Sequence, residues 1–143
     1  MARNEPTLSV RMLWSAARIF GNDPRAVSLL PLLEVSIDDL ADPDRRQHGV
    51  DTADVLQRAI PLIDALRPDF VVAGGDLVSD ESEASYRRLQ VLLAPLAAPI
   101  HLMMGNHDSR AAYRRVYHPE APATDEPVCE AFERAGVWFL LTD

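Results

Sequence analysis

Lysine is absent from this chain: all 14 basic residues are arginine. Set against 22 acidic residues they leave a formal net charge of −8. Nucleic-acid binding through a phosphate backbone needs a basic face, so that class of partner is excluded. A small phosphate ester is not excluded, because bound divalent cations reverse the local sign of charge. Cysteine is nearly absent too, and the single Cys129 rules out an internal disulfide and a cysteine-based zinc site. No apolar run approaches the roughly 20 residues that a membrane-spanning helix needs. The apolar stretch from Leu8 to Phe20 is interrupted by Arg11 and Arg18, which argues against a secretory signal. The expectation is a cytoplasmic protein with no membrane partner. Internal repeats and low-complexity tracts are also missing. The missing lysine, with 11 prolines and much alanine, reads as GC-rich coding and carries no function.

The residues that are present describe a globular chain. A hydrophobic fraction of 48% and a charged fraction of 25% over 143 residues suit one domain with a modest core. Thr7 and Gly21-Asn22 bracket a stripe of Leu8, Met12, Leu13, Ala16, Ile19 and Phe20, which predicts an amphipathic helix. Leu29 to Ile37 reads as a buried strand with pairing confined to Leu32 onward by Pro31. A polar loop follows through Arg46. Asp51 is placed to cap a helix that turns Val55, Leu56, Ala59, Leu62, Ile63 and Leu66 inward, with Pro61 kinking it. Phe70 to Ala73 is the next strand. A helix from Ser82 to Leu93 buries Tyr86, Leu89, Leu92 and Leu93, a strand opens at Pro99 and ends at Met104, and Ser109 caps a helix to Tyr117. Val137 to Leu141 is the last strand. Alternation of helix and strand predicts an α/β fold with a mostly parallel sheet flanked by helices.

Two motifs sit at strand ends. Gly75-Asp76 follows Phe70–Ala73, and Gly105-Asn106-His107-Asp108 follows Ile100–Met104. Glycine then aspartate is by itself an ordinary turn. Repeated after one intervening helix, the two motifs bring polar groups together at the carboxyl edge of a parallel sheet, where strands lie about 4.8 Å apart and ligands gather. A carboxylate and an amide oxygen are hard donors suited to divalent cations such as Mg, Mn or Fe, and an imidazole extends the range to Zn. Two such ions about 3.5–4 Å apart clamp both reacting oxygens of a phosphoryl group, with Asp76 as the candidate bridge. His107, diverging from its neighbour Asn106, is placed as an acid for the departing alkoxide or as a cation at the transition state. Asp108 either orients His107 or caps the helix after it. His101 reads as a core histidine, His118 as a loop residue, and His48 has no assignment.

These residues resemble the calcineurin-like metallophosphoesterases, and within them the bacterial cyclic-nucleotide phosphodiesterases and glycerophosphodiesterases. The resemblance runs from about Leu33 to Asp143 and takes in His48-Gly49-Val50-Asp51-Thr52, Leu66-Arg67-Pro68-Asp69, Gly75-Asp76-Leu77 and Gly105-Asn106-His107-Asp108. It implies half of an α/β/β/α sandwich over 32–143; residues 1–31 have no counterpart in the family and read, from their apolar stripe, as a helical extension. It also implies that Asp76 bridges two metal ions, that Asn106 ligates the second, and that His107 assists catalysis. The reaction implied is phosphodiester or phosphomonoester hydrolysis of a small substrate by metal-activated hydroxide.

The sequence departs from the family pattern in two places. The opening Asp-x-His reads Val35-Ser36-Ile37-Asp38-Asp39-Leu40 here. Direct alignment sets Ile37 and Asp39 at the ligand positions, and a shift of one residue makes Asp38 the metal-ligating carboxylate, without a histidine. The later Gly-His-x-His motif is missing, and His118 is the only histidine after His107. The expectation is therefore a truncated domain whose unaided activity is in question. Two other readings stand beside it: a noncatalytic half-domain that homodimerises over an exposed sheet face, and a mononuclear metal or phosphate-binding domain using Asp76 and Asn106 alone.

Overall fold

A computed structural model of the protein describes residues 12–19, 27–35, 52–78 and 80–143. Four strands form the main sheet: β1 (Met12–Ile19), β2 (Val27–Val35), β3 (Phe70–Gly74) and β4 (Ile100–Met103), in the order β2-β1-β3-β4. Helices α1 (Thr52–Ala65) and α2 (Glu83–Leu93) flank β3 in the chain, and α3 (Arg110–Tyr117) follows β4. A hairpin of β5 (Glu130–Arg134) and β6 (Val137–Leu141) ends it.

The α/β class expected from the sequence is observed, with β3 and β4 as its parallel pair, Ala73 opposite Leu102 and Gly74 opposite Met103. The helix expected over Leu8–Phe20 is not. Met12–Ile19 is a strand there, antiparallel to both β2 and β3, so this side of the sheet is antiparallel and the four-stranded sheet as a whole is mixed. The helical spacing of its apolar residues is overridden by ladder bonds to two neighbours, a long-range reward that local periodicity does not register. Pro31 falls inside β2 at the sheet's edge, opposite Ser15, where the register slips by one residue. A proline that cannot donate to a ladder belongs on such an edge or bulge.

α1 buries Leu56, Ala59, Ile60 and Ile63, one stripe at i, i+3, i+4 and i+7. Leu62 and Leu66 were expected inward, but they are 70% and 41% exposed, because the buried stripe is centred one residue to their side, on Ile60 and Ile63. Pro61 lies within the helix, which continues to Ala65. The expected cap, Asp51, lies outside the described residues. α2 and α3 start as expected: the Ser82 hydroxyl accepts from the Ser85 amide at 3.1 Å, and that of Ser109 from the Ala112 amide at 3.3 Å.

Strand alternation sends β3 to two partners. Val71 and Ala73, both fully buried, join the helical core with Leu56, Leu89 and Tyr86. Phe70 faces the hairpin and meets Phe132 and Phe139 edge-on at 5.1 and 4.9 Å between ring centroids. His101 lies flat on Phe132 at 3.6 Å, and its Nδ1 is 2.7 Å from Glu130 Oε1, so the expected core histidine is a half-buried bridge to the hairpin with a carboxylate partner. The two-residue turn Ala135-Gly136 has φ of 50° and 76°, the left-handed pair that matches strand twist in a tight hairpin.

Candidate functional site

β3 and β4 run parallel, so their carboxyl ends open at the same edge, and the chain leaves both in abrupt turns. Gly75 and Asp76 adopt left-handed backbone with φ of 70° and 50°. Such a conformation is open to glycine and disfavoured for a side-chain-bearing residue, which persists there when its surroundings fix it. The turn swings Asp76 across to the end of β4, where its Oδ1 accepts the His107 amide at 2.9 Å. Gly105 lets the two turns meet. A Cβ at that position would lie 2.8 Å from Asp76 Cγ and closer still to its amide nitrogen and Oδ1.

Asp108 joins the turns beneath this contact. It is 6% exposed. Its Oδ2 accepts the amides of Leu77 at 2.9 Å and Gly105 at 2.8 Å, and its Oδ1 accepts the Val78 amide at 3.2 Å and the Tyr86 hydroxyl at 2.8 Å. Burial pushes the Asp108 carboxyl above the ordinary carboxylate range, and the Leu77, Gly105, Tyr86 and Val78 donors pull against that. Four donors converging on two oxygens are the surroundings of an ionised carboxylate. The role expected for Asp108, orienting His107 or capping α3, is therefore replaced: Ser109 supplies the cap, and Asp108 fastens one strand end to the other.

Asp76 and the Asn106-His107 pair are thus brought together, with Asp76 half-buried and Asn106 and His107 exposed at the lip. Asp38 and Asp39 lie outside the described residues, as does His48. His118 caps the end of α3 and is exposed, as expected of a loop residue. Among the described residues no group of three His, Cys, Asp or Glu side chains converges closely enough to hold a metal ion. In kind the donors present still fit a hard divalent cation. One carboxylate and one carboxamide stand on adjoining turns, and among the described residues nothing donates to Asp76 Oδ2. No helix among the described residues is long and apolar enough to cross a membrane.

Sequence reasoning missed the Tyr86 hydroxyl, which it read only as part of a buried face. The available signal was that a buried tyrosine usually finds a partner for its O–H.

The sequence profile of the calcineurin-like phosphoesterases matches residues 47–139, and the chain belongs to that family. It is 43% identical over 75 residues to a probable cyclic nucleotide phosphodiesterase of Rhodopseudomonas palustris, covering 51% of this chain and 27% of that one. It is 39% identical over 99 residues to a cAMP/cGMP dual specificity phosphodiesterase of Mycobacterium tuberculosis, covering 64% and 31%. A 3',5'-cyclic adenosine monophosphate phosphodiesterase of Pseudomonas aeruginosa is 36% identical over 97 residues, covering 66% and 36%. The matched region spans about a third of the length of these relatives.

Proposed function

We propose that this chain carries the Asp76, Asn106 and His107 portion of a metal-dependent phosphodiesterase site whose substrate is a small cyclic phosphodiester. The observation that carries the reading is the 2.9 Å bond from the His107 amide to Asp76 Oδ1, which ties both motifs into one turn cluster at the carboxyl edge of β3 and β4. The substrate class is drawn from the names of the relatives, all cyclic nucleotide phosphodiesterases.

In this mechanism Asp76 would be the ligand shared by two divalent cations, Asn106 would lend its carboxamide oxygen to one of them, and Asp38 would be a ligand of the other. When bound, the ions neutralise the phosphoryl oxygens and acidify a water. The chain's own contribution is position and a proton. The left-handed turn at Gly75-Asp76 and the close approach at Gly105 hold the two donor-bearing turns against each other. As water adds to phosphorus, losing one proton to solvent, the ester P–O bond breaks and the His107 ring gives an N–H proton to the departing alkoxide oxygen, regaining it from solvent afterwards. The products are a phosphomonoester and its free hydroxyl.

The test combines Mn²⁺ titration calorimetry with hydrolysis of a chromogenic phosphodiester. Wild-type protein should take up Mn²⁺ and turn over, and Asp76→Asn should lose both while keeping its fold, because the asparagine oxygen still accepts the His107 amide. Absence of Mn²⁺ uptake by the wild type would overturn the reading.

A second reading has its own observation. Trp138 and Leu140 are 71% and 70% exposed on the hairpin's outer face. An apolar pair so placed suits a noncatalytic interaction module that homodimerises there.

A further inference from the structure

We propose that the Tyr86 hydroxyl is a positioning group for the candidate site: through Asp108 it holds the two turns that carry Asp76, Asn106 and His107 in register. Tyr86 sits on α2, away from both strand ends, and is fully buried. Its ring packs edge-on against Tyr113, with centroids 5.9 Å apart and planes at 79°, a contact that phenylalanine would make equally well. The hydroxyl is what phenylalanine lacks, and both of its valences point to the site. It donates to Asp108 Oδ1 at 2.8 Å and accepts the Ser109 amide at 3.0 Å.

Asp108 connects the turn after β3, through Leu77 and Val78, to the turn after β4, through Gly105. The orientation of its carboxylate therefore sets how the turns lie against each other. Oδ2 is held by two short bonds, whereas Oδ1 is held by Tyr86 and by a longer 3.2 Å bond from Val78. Removing the hydroxyl leaves Oδ1 with the longer bond alone and strips the Ser109 amide of its acceptor at the start of α3. The carboxylate then gains freedom to rotate, and the two turns lose their common reference in the helical layer. Residues that orient a ligand through a hydrogen bond typically alter metal affinity 10–100-fold when changed, and a group one bond further out falls at the low end.

The proposal rests on the assignment of Asp76 and Asn106 as ion ligands for one of its two readouts only. Amide hydrogen exchange and Mn²⁺ titration are measured on the wild type, Tyr86→Phe and, as control, Tyr113→Phe. In Tyr86→Phe the Gly105 and His107 amides should exchange about tenfold faster, the equivalent of one lost hydrogen bond, and the Mn²⁺ dissociation constant should rise about tenfold. Amides of α1 and the hairpin should keep wild-type rates, and Tyr113→Phe should match the wild type at Gly105 and His107. Wild-type exchange at Gly105 and His107 in Tyr86→Phe overturns the proposal. So does acceleration spread evenly over the chain, the mark of a tyrosine that serves general stability. Local acceleration in a protein whose wild type takes up no Mn²⁺ supports the positioning role and removes the ion-ligand assignment instead.

Discussion

Replacing Gly105 with alanine is the sharpest perturbation of the joined turns. The added methyl would stand 2.8 Å from Asp76 Cγ, about 0.7 Å short of an ordinary carbon–carbon contact of roughly 3.5 Å. It would crowd the Asp76 amide and Oδ1 more severely. Neither obstacle is the free end of a long side chain, so the turns must separate. Separation stretches the His107 amide bond to Asp76 and the Gly105 amide bond to Asp108, at 2.9 and 2.8 Å. Overpacking costs about 1–3 kcal/mol, and each hydrogen bond to a charged group contributes about 1.5–3 kcal/mol, only part of which is lost by stretching. A combined loss near 3 kcal/mol is expected. With a urea dependence of about 2 kcal/mol per molar, the unfolding midpoint should fall by roughly 1.5 M. Gly75→Ala provides the contrast: its methyl would meet Gly105 Cα at an acceptable 3.6 Å, and only the left-handed φ of 70° is penalised, by about 1–2 kcal/mol. Urea titrations of both variants by circular dichroism, paired with Mn²⁺ titrations, read the difference. A Gly105→Ala protein with an unmoved midpoint, or one no more destabilised than Gly75→Ala, would refute the close-approach argument.

Asp76→Asn should keep the wild-type urea midpoint to within the effect of one altered hydrogen bond while lowering Mn²⁺ affinity ~100-fold or more, as removal of a direct ligand exceeds the usual outer-shell loss; calorimetry measures it. Burial raises the hydroxyl pKa of all three tyrosines, that of Tyr113 to about 12 and those of Tyr86 and Tyr117 still higher. A folded pKa above the unfolded one means that stability is intact below pH 10 and is lost as pH rises beyond it. Ultraviolet titration should therefore show no tyrosinate forming near pH 10 while the fold persists, and a native tyrosine that ionises there would contradict the burial. Trp138→Ser combined with Leu140→Ser should shift any dimer seen by sedimentation toward the protomer without lowering the melting temperature of the protomer; an unchanged mass distribution would exclude the hairpin face as the contact.

Local signals were read well where the information is local. Ser82 and Ser109 announced their helices because a cap needs only the amide three residues on. The apolar runs before Gly75 and Gly105 became the parallel pair because a short β-rich run bounded by glycine has few alternatives. Met12–Ile19 was misread because its strand state depends on partners at Val27–Val35 and Phe70–Gly74, distant in the sequence. β5 was not foreseen: Phe132 is the one large apolar residue in Glu130-Ala131-Phe132-Glu133-Arg134, and it is the opposing Phe139, the β3 ring of Phe70 and the β4 imidazole of His101 that give that phenylalanine somewhere to go. Its turn was hidden too, since Ala135 occupies a left-handed position where asparagine or glycine would have signalled a hairpin. At the site, spacing placed Asp76, Asn106 and His107 on neighbouring turns. It could not show that Asp108 turns inward to the amides of Leu77 and Gly105, because a side chain's direction after a tight turn is set by the turn itself.

The flat packing of His101 on Phe132, with Glu130 at its Nδ1, has a practical corollary for protein engineering. Segments 130–141 cannot be transplanted from a relative as an independent cassette. A donor hairpin lacking an aromatic at 132 or a carboxylate at 130 would strand an imidazole against the back of β4, so position 101 must be exchanged together with the graft.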